Sequence, residues 1–206
     1  MLPIDIPPGT TVESLVTEVV PALHARLVGP SGSSELYTVN VRLEGHGTWT
    51  ARIRGGDLAI TEGEAERPTL WMHASERAVE RFLEDALGPK RLLPRFVPVG
   101  GVMTASDPRL LRRMAMANGR IELAMIDEDG ERLTLAFGFG DAARKGIDPD
   151  DADVVVEARI ETIERVLHGK LAPEEALADG DVTVRGNRFL AMQLALAVAP
   201  FYPASS

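Results

Sequence analysis

The chain has 206 residues, with 22 basic and 31 acidic side chains and a formal net charge of -9. Hydrophobic residues make up 45% and charged residues 26%, the balance of a globular chain, which excludes disorder and collagen-like repeats. The absence of cysteine excludes disulfides, thiolate nucleophiles and cysteine metal sites.

No apolar run approaches the ~18 residues that cross a bilayer, so no integral membrane span is expected. The segment MLPIDIPPGTT lacks the basic and apolar regions of a signal peptide, and a cytoplasmic location is the expectation. The acidity is uneven: residues 1–117 carry 13 basic and 14 acidic side chains, whereas 118–206 carry 9 and 17. Phosphate neutralisation requires the opposite field, so no nucleic acid is expected as a partner.

In chain order, Thr10-Thr11-Val12-Glu13 reads as a capping box opening a helix that carries Leu15, Val16, Val19, Val20 and Leu23, with Pro21 kinking it. Tyr37, Val39, Val41 and Leu43 alternate with polar residues, as do Trp49, Ala51 and Ile53 after the Gly45-His46-Gly47 turn. These are half-buried strands, and a third follows around 69–74. Val79, Phe82, Leu83 and Leu87 have helical spacing, and Asp107 followed by Pro108 caps a further helix over 107–117.

The pattern then recurs. Ile121, Leu123 and Met125 lead through Asp129-Gly130 to Leu133, Leu135, Phe137 and Phe139, with a third strand around 153–158. Ile160, Ile163, Val166, Leu167 and Leu171 form a helical stripe, and Pro173 suits the first position of another helix. Residues 181–185 read as a strand, after which Asn187 caps a helix, FLAMQLALAVA, that is apolar nearly all round. The strands read as meanders, giving a mostly antiparallel sheet.

An offset of 84 positions lays ERFLEDALGPKRLL (80–93) on ERVLHGKLAPEEAL (164–177), matching Glu80, Arg81, Leu83, Leu87, Pro89 and Leu93 to Glu164, Arg165, Leu167, Leu171, Pro173 and Leu177. The same offset pairs Thr50 with Thr134, Gly56 with Gly140 and Asp57 with Asp141. The chain thus reads as two copies of one unit, 1–117 and 118–206, without a long linker and packed as one body.

The run 151–201 resembles the sterol carrier protein type-two domain family. Asp153 leads a strand, Gly169-Lys170-Leu171-Ala172-Pro173 makes a turn, and the strand Gly180–Gly186 precedes the final apolar helix. The resemblance extends upstream to about residue 120. It is fainter in the first copy, where PRFVPVGGVMTASDP replaces the Gly-strand-Gly pattern.

The resemblance implies an α/β fold of the α+β type: a mostly antiparallel five-stranded sheet covered by helices, here duplicated as a pseudo-dimer. It further implies a non-enzymatic carrier that holds a fatty acid, acyl-CoA, sterol or other lipid in an apolar tunnel between sheet and helices. The expected ligand-binding residues are Leu135, Phe137, Ile163, Val166, Leu167, Leu171, Phe189, Met192 and Leu196. The alternative is an accessory module that packs on a partner protein, such as an enzyme or a second copy in a homodimer, with no open tunnel.

Other motifs carry less. Gly138-Phe139-Gly140-Asp141-Ala142-Ala143 imitates a dinucleotide fingerprint, but Gly146 and Pro149 should break the helix that pyrophosphate needs. Asp148, Asp150, Asp151 and Asp153 lack calcium-loop spacing, and His24, His46, His73 and His168 form no ligand pair, so neither metal nor cofactor is expected. Ser31 and Ser33 lie in a loop without a nucleophile elbow, and no catalytic residues are expected. Lys90, Arg91, Arg95, Arg109, Arg112 and Arg113 read as solvated helix faces, with reception of an anionic head group as the rival.

Overall fold

The computed structural model describes residues 6–7, 9–27, 35–87, 112–114, 116–145, 151–167 and 169–198, all with side chains except 85–87, 167 and 194–198. The expected cap at Asp107, most of helix 107–117, the basic residues Lys90 to Arg109, Asp148, Asp150, Ser31, Ser33 and His168 lie outside the described residues.

The amino-terminal helix begins one residue later than expected. Thr11 is the N-cap of α1 (Val12–Ser14), and its hydroxyl accepts from Ser14 N at 3.1 Å while the Ser14 hydroxyl accepts from Thr11 N at 2.9 Å. A π-helical turn, Leu15–Val19, separates α1 from α2 (Val20–Leu27). Pro21 has no N–H to donate, and the wider turn absorbs the disturbance just before it.

Four strands follow: β1 (Leu36–Leu43), β2 (Gly47–Arg54), β3 (Asp57–Glu62) and β4 (Leu70–Ala74), then α3 (Glu76–Leu87). The second half contains β5 (Gly119–Ile126), β6 (Arg132–Phe139), a short α4 (Asp141–Arg144), β7 (Val154–Arg159), α5 (Ile160–Leu167), α6 (Pro173–Ala178), β8 (Val182–Gly186) and α7 (Arg188–Val198).

Among the described residues, the strands form one eight-stranded sheet in the order β3-β2-β1-β4-β6-β5-β7-β8, which replaces the expected five. Five neighbour pairs are antiparallel, and β1–β4 and β5–β7 are parallel. The strands at 70–74 and 154–159 are therefore crossover strands, not meander strands. β3 and β4 run in the same direction, so the chain between them returns to the starting end of the sheet, whereas β6 ends at the end of the sheet where β7 begins and that connection only has to pass β5.

The sheet exceeds five strands because β4 pairs with β6, placing Met72 opposite Phe137 and Leu70 opposite Phe139. The trios β2-β1-β4 and β6-β5-β7 have the same order and the same parallel and antiparallel senses. In the first half the outer edge of β2 takes β3, whereas the matching edge of β6 is occupied by β4. The segment after β6 has no free edge there and coils into α4.

Strand alternation gives the sheet two unlike faces. One carries Val39, Val41, Trp49, Ala51, Met72, Leu123, Met125, Leu133, Leu135, Phe137 and Val156. The other carries Asn40, Thr50, His73, Glu122, Arg132, Glu157 and Arg185. On the polar face Arg132 pairs with Glu122 and, at 2.7 Å, with Glu157, which also meets Arg185 at 3.3 Å. Buried Asn40 accepts from Thr50 at 3.1 Å and donates to the Ala65 carbonyl at 3.0 Å. No described helix is long and apolar enough to cross a membrane.

Candidate functional site

The apolar face is covered by helices at its two ends. At one end α3 and α5 close over Ala74, Met125 and Leu133 through Ala78, Val79, Ile160 and Ile163. At the other, Leu190 of α7 seals Phe139, Ala117 and Val154. Leu133 and Val154 have no exposed surface, so both ends are dry. Between them Ile121, Leu123, Leu135, Phe137 and Val156 are only half-buried, although they sit on inner strands of a sheet.

One backbone contact ties the start of α7 to this sheet, and two more hydrogen bonds cap the helix. Asn187 N donates to the Asp153 carbonyl at 2.8 Å, and the Asn187 side chain accepts from Phe189 N and Leu190 N, each at 3.1 Å. The Asp153 carboxylate in turn accepts from Arg120 N at 2.7 Å. The acidic residue that leads β7 thus ties together the starts of β5, β7 and α7, as a fixed acceptor for otherwise orphaned amides.

The structure brings together part of the expected residue set. Leu135, Phe137 and Ile163 lie between sheet and helices and are half-buried, and Leu135 and Ile163 share the cluster with Leu133. Val166 is half-buried on α5 and Leu171 is buried. Phe189 is 64% exposed and Met192 54% exposed, so the first turns of α7 present these two outward and Leu190 inward. The side chains of Leu167 and Leu196 lie outside the described residues.

Ile121, Leu123 and Val156 join the same surface and were absent from the expected set. For Ile121 and Leu123 the signal was present in the sequence: they alternate with Arg120, Glu122 and Ala124 on the strand next to Leu135 and Phe137, whereas Val156 lies in an unbroken valine run.

The remaining motifs are structural. The helix after Gly140 spans only Asp141–Arg144, ending before Gly146, and begins with an acidic residue. Gly140 has φ +61°, and a Cβ there would lie 2.7 Å from the Ala117 carbonyl, so close chain approach explains the glycine. His24 and His73 are buried, and burial lowers the pKa of both. Asp57 opposes the shift at His24, and Glu44 opposes it at His73, where Arg42 adds to the lowering. Among the described residues, no group of three or more His, Asp or Glu could hold a metal.

Residues 102–198 match the model of the SCP-2 sterol transfer family. Sterol carrier protein 2 of Yarrowia lipolytica, in its apo form, is 17% identical over 46% of this chain and 92% of its own, with a TM-score of 0.35. Sterol carrier protein 2 like 2 of Aedes aegypti is 18% identical over 58% of this chain and 95% of its own, with a TM-score of 0.33. The sterol carrier protein domain 2 of Helicoverpa armigera is 15% identical over 61% and 85%, with a TM-score of 0.35. No curated protein matches the chain.

Proposed function

We propose that this protein binds or carries a long-chain apolar molecule, such as a fatty acid, acyl-CoA, sterol or other lipid, without chemical turnover. The observation that carries the reading is the half-buried apolar surface of Ile121, Leu123, Leu135, Phe137 and Val156 between two dry clusters. The match of 102–198 to the model of a sterol transfer family supports it. Each methylene moved from water onto that surface contributes about 0.8 kcal/mol, so an acyl chain needs few polar contacts for micromolar binding. Ile163, Val166, Leu167 and Leu171 line the helical side in this reading. Leu196 lies further along α7, and Phe189 and Met192 stand at its rim.

We read residues 1–117 and 118–206 as tandem copies laid edge to edge, which the matching order of β2-β1-β4 and β6-β5-β7 supports. Displacement of a fluorescent fatty acid tests the ligand reading. Phe137→Glu should abolish binding, because an unpaired carboxylate would sit where the chain must lie. Saturable binding that Phe137→Glu leaves intact would refute the site.

The accessory-module reading has its own support in the outward Phe189 and Met192, which share one side of α7. An interaction module would yield no apolar compound on organic extraction of purified protein, whereas a carrier would.

A further inference from the structure

The half-buried apolar surface does not stop at the second half. Met72 lies directly opposite Phe137 across the β4–β6 pairing, and Val41 is the register partner of Met72 on β1. Val41, Met72, Phe137 and Ile121 therefore form one row across four adjacent strands, and all four are half-buried. The row ends on buried residues at both sides, at Trp49 beside Val41 and at Val154 beside Ile121.

Strands lie about 4.8 Å apart, so Val41 and Ile121 are separated by about 14 Å across the sheet. The strip keeps two half-buried residues on each of these strands: Val41 and Leu43 on β1, Leu70 and Met72 on β4, Leu135 and Phe137 on β6, and Ile121 and Leu123 on β5. Val156 on β7 extends it at the second-half end. A long strip of even width that runs across the strands fits a flexible unbranched chain laid along it.

We propose that the two halves share one ligand site, in which a single acyl chain crosses the β4–β6 joint and ends over Met72 and Val41. The head group stays in the second half, and the stoichiometry is one acyl chain per polypeptide. This rests on the carrier reading and adds the ligand's path and stoichiometry. Trp49 is the stop at the chain's end, and the protein's other tryptophan, Trp71, lies on the opposite face of the sheet.

The test uses saturated fatty acids from decanoic to hexadecanoic. For the native chain, affinity should rise about fourfold per added methylene over the series. Met72→Trp should leave decanoic acid binding within about twofold and halt the rise for longer chains, because the new ring blocks the strip just beyond the β4–β6 joint. An unchanged length profile in a folded Met72→Trp protein overturns the proposal.

A second measurement does not depend on that variant. In Trp71→Phe protein, palmitic acid brominated at its methyl end should quench Trp49 fluorescence more than palmitic acid brominated beside the carboxyl. Equal quenching, or the reverse order, also overturns it. If no chain length binds, the carrier reading fails as well. If binding is intact but insensitive to Met72 and Trp49, only the shared path fails.

Discussion

Gly186 passes so close to Asp153 that a Cβ at Gly186 would lie 2.1 Å from the Asp153 carbonyl oxygen. Its φ of +93° is one that side chains other than hydrogen rarely adopt. The closeness lets the next residue, Asn187, donate to that same carbonyl and start α7 over the sheet. Gly186→Ala should therefore force β7 and β8 apart, costing about 3 kcal/mol from steric overlap and backbone strain together. Urea unfolding checks this, with a lower midpoint expected.

Asn187 caps α7 by accepting from two backbone amides. Asn187→Ala should cost about 1 kcal/mol, and Asn187→Asp or Asn187→Ser should recover most of it. The same unfolding experiment reads the series, and an alanine variant as stable as the native chain would remove the cap from the account.

Leu190 and Met192 lie two positions apart on α7 with opposite environments, 2% and 54% exposed. Leu190→Ala should destabilise the fold by about 3 kcal/mol, through lost burial and the cavity left beside Phe139 and Val154. Met192→Glu should change stability by less than about 0.5 kcal/mol, since the carboxylate stays in water. Thermal melts of the two variants side by side check the orientation of the helix.

His24 is buried on α2, and neither ring nitrogen has a hydrogen-bond partner among the described residues. Burial holds its pKa below the ordinary histidine value, against the pull of Asp57. The unfolded chain then binds the proton more readily than the folded one. The stability that depends on neutral His24 is complete above about pH 6.5 and declines as the pH falls below it. His73 acts in the same direction, with burial as the main cause. Unfolding free energy should fall as the pH drops below about 6.5, and His24→Leu should flatten that decline.

Much of this architecture is legible in the sequence, and the exceptions have physical causes. Period-two alternation located β1, β2, β5 and β6 because each has one apolar and one polar face. It did not reveal that β4 and β7 run parallel to β1 and β5, since strand direction depends on where the connection returns. Leu58 and Ile60 alternate along β3, but Asp57 and Glu62 bound a short edge strand with a weak apolar face. The pairing of Met72 with Phe137 has no local signature, because edge-to-edge joining is decided by which strand edges remain open. The helix after Asn187 is apolar on nearly every side, so its periodicity could not show that Leu190 faces inward while Phe189 and Met192 face out.

The central claim is that the apolar face holds a lipid, and native mass spectrometry of freshly purified protein, before and after incubation with palmitic acid, tests it most directly. The expected result is a single adduct per chain, with the mass of one fatty acid, that Phe137→Glu abolishes. Bare polypeptide mass under both conditions, from protein with a native thermal melt, would contradict it.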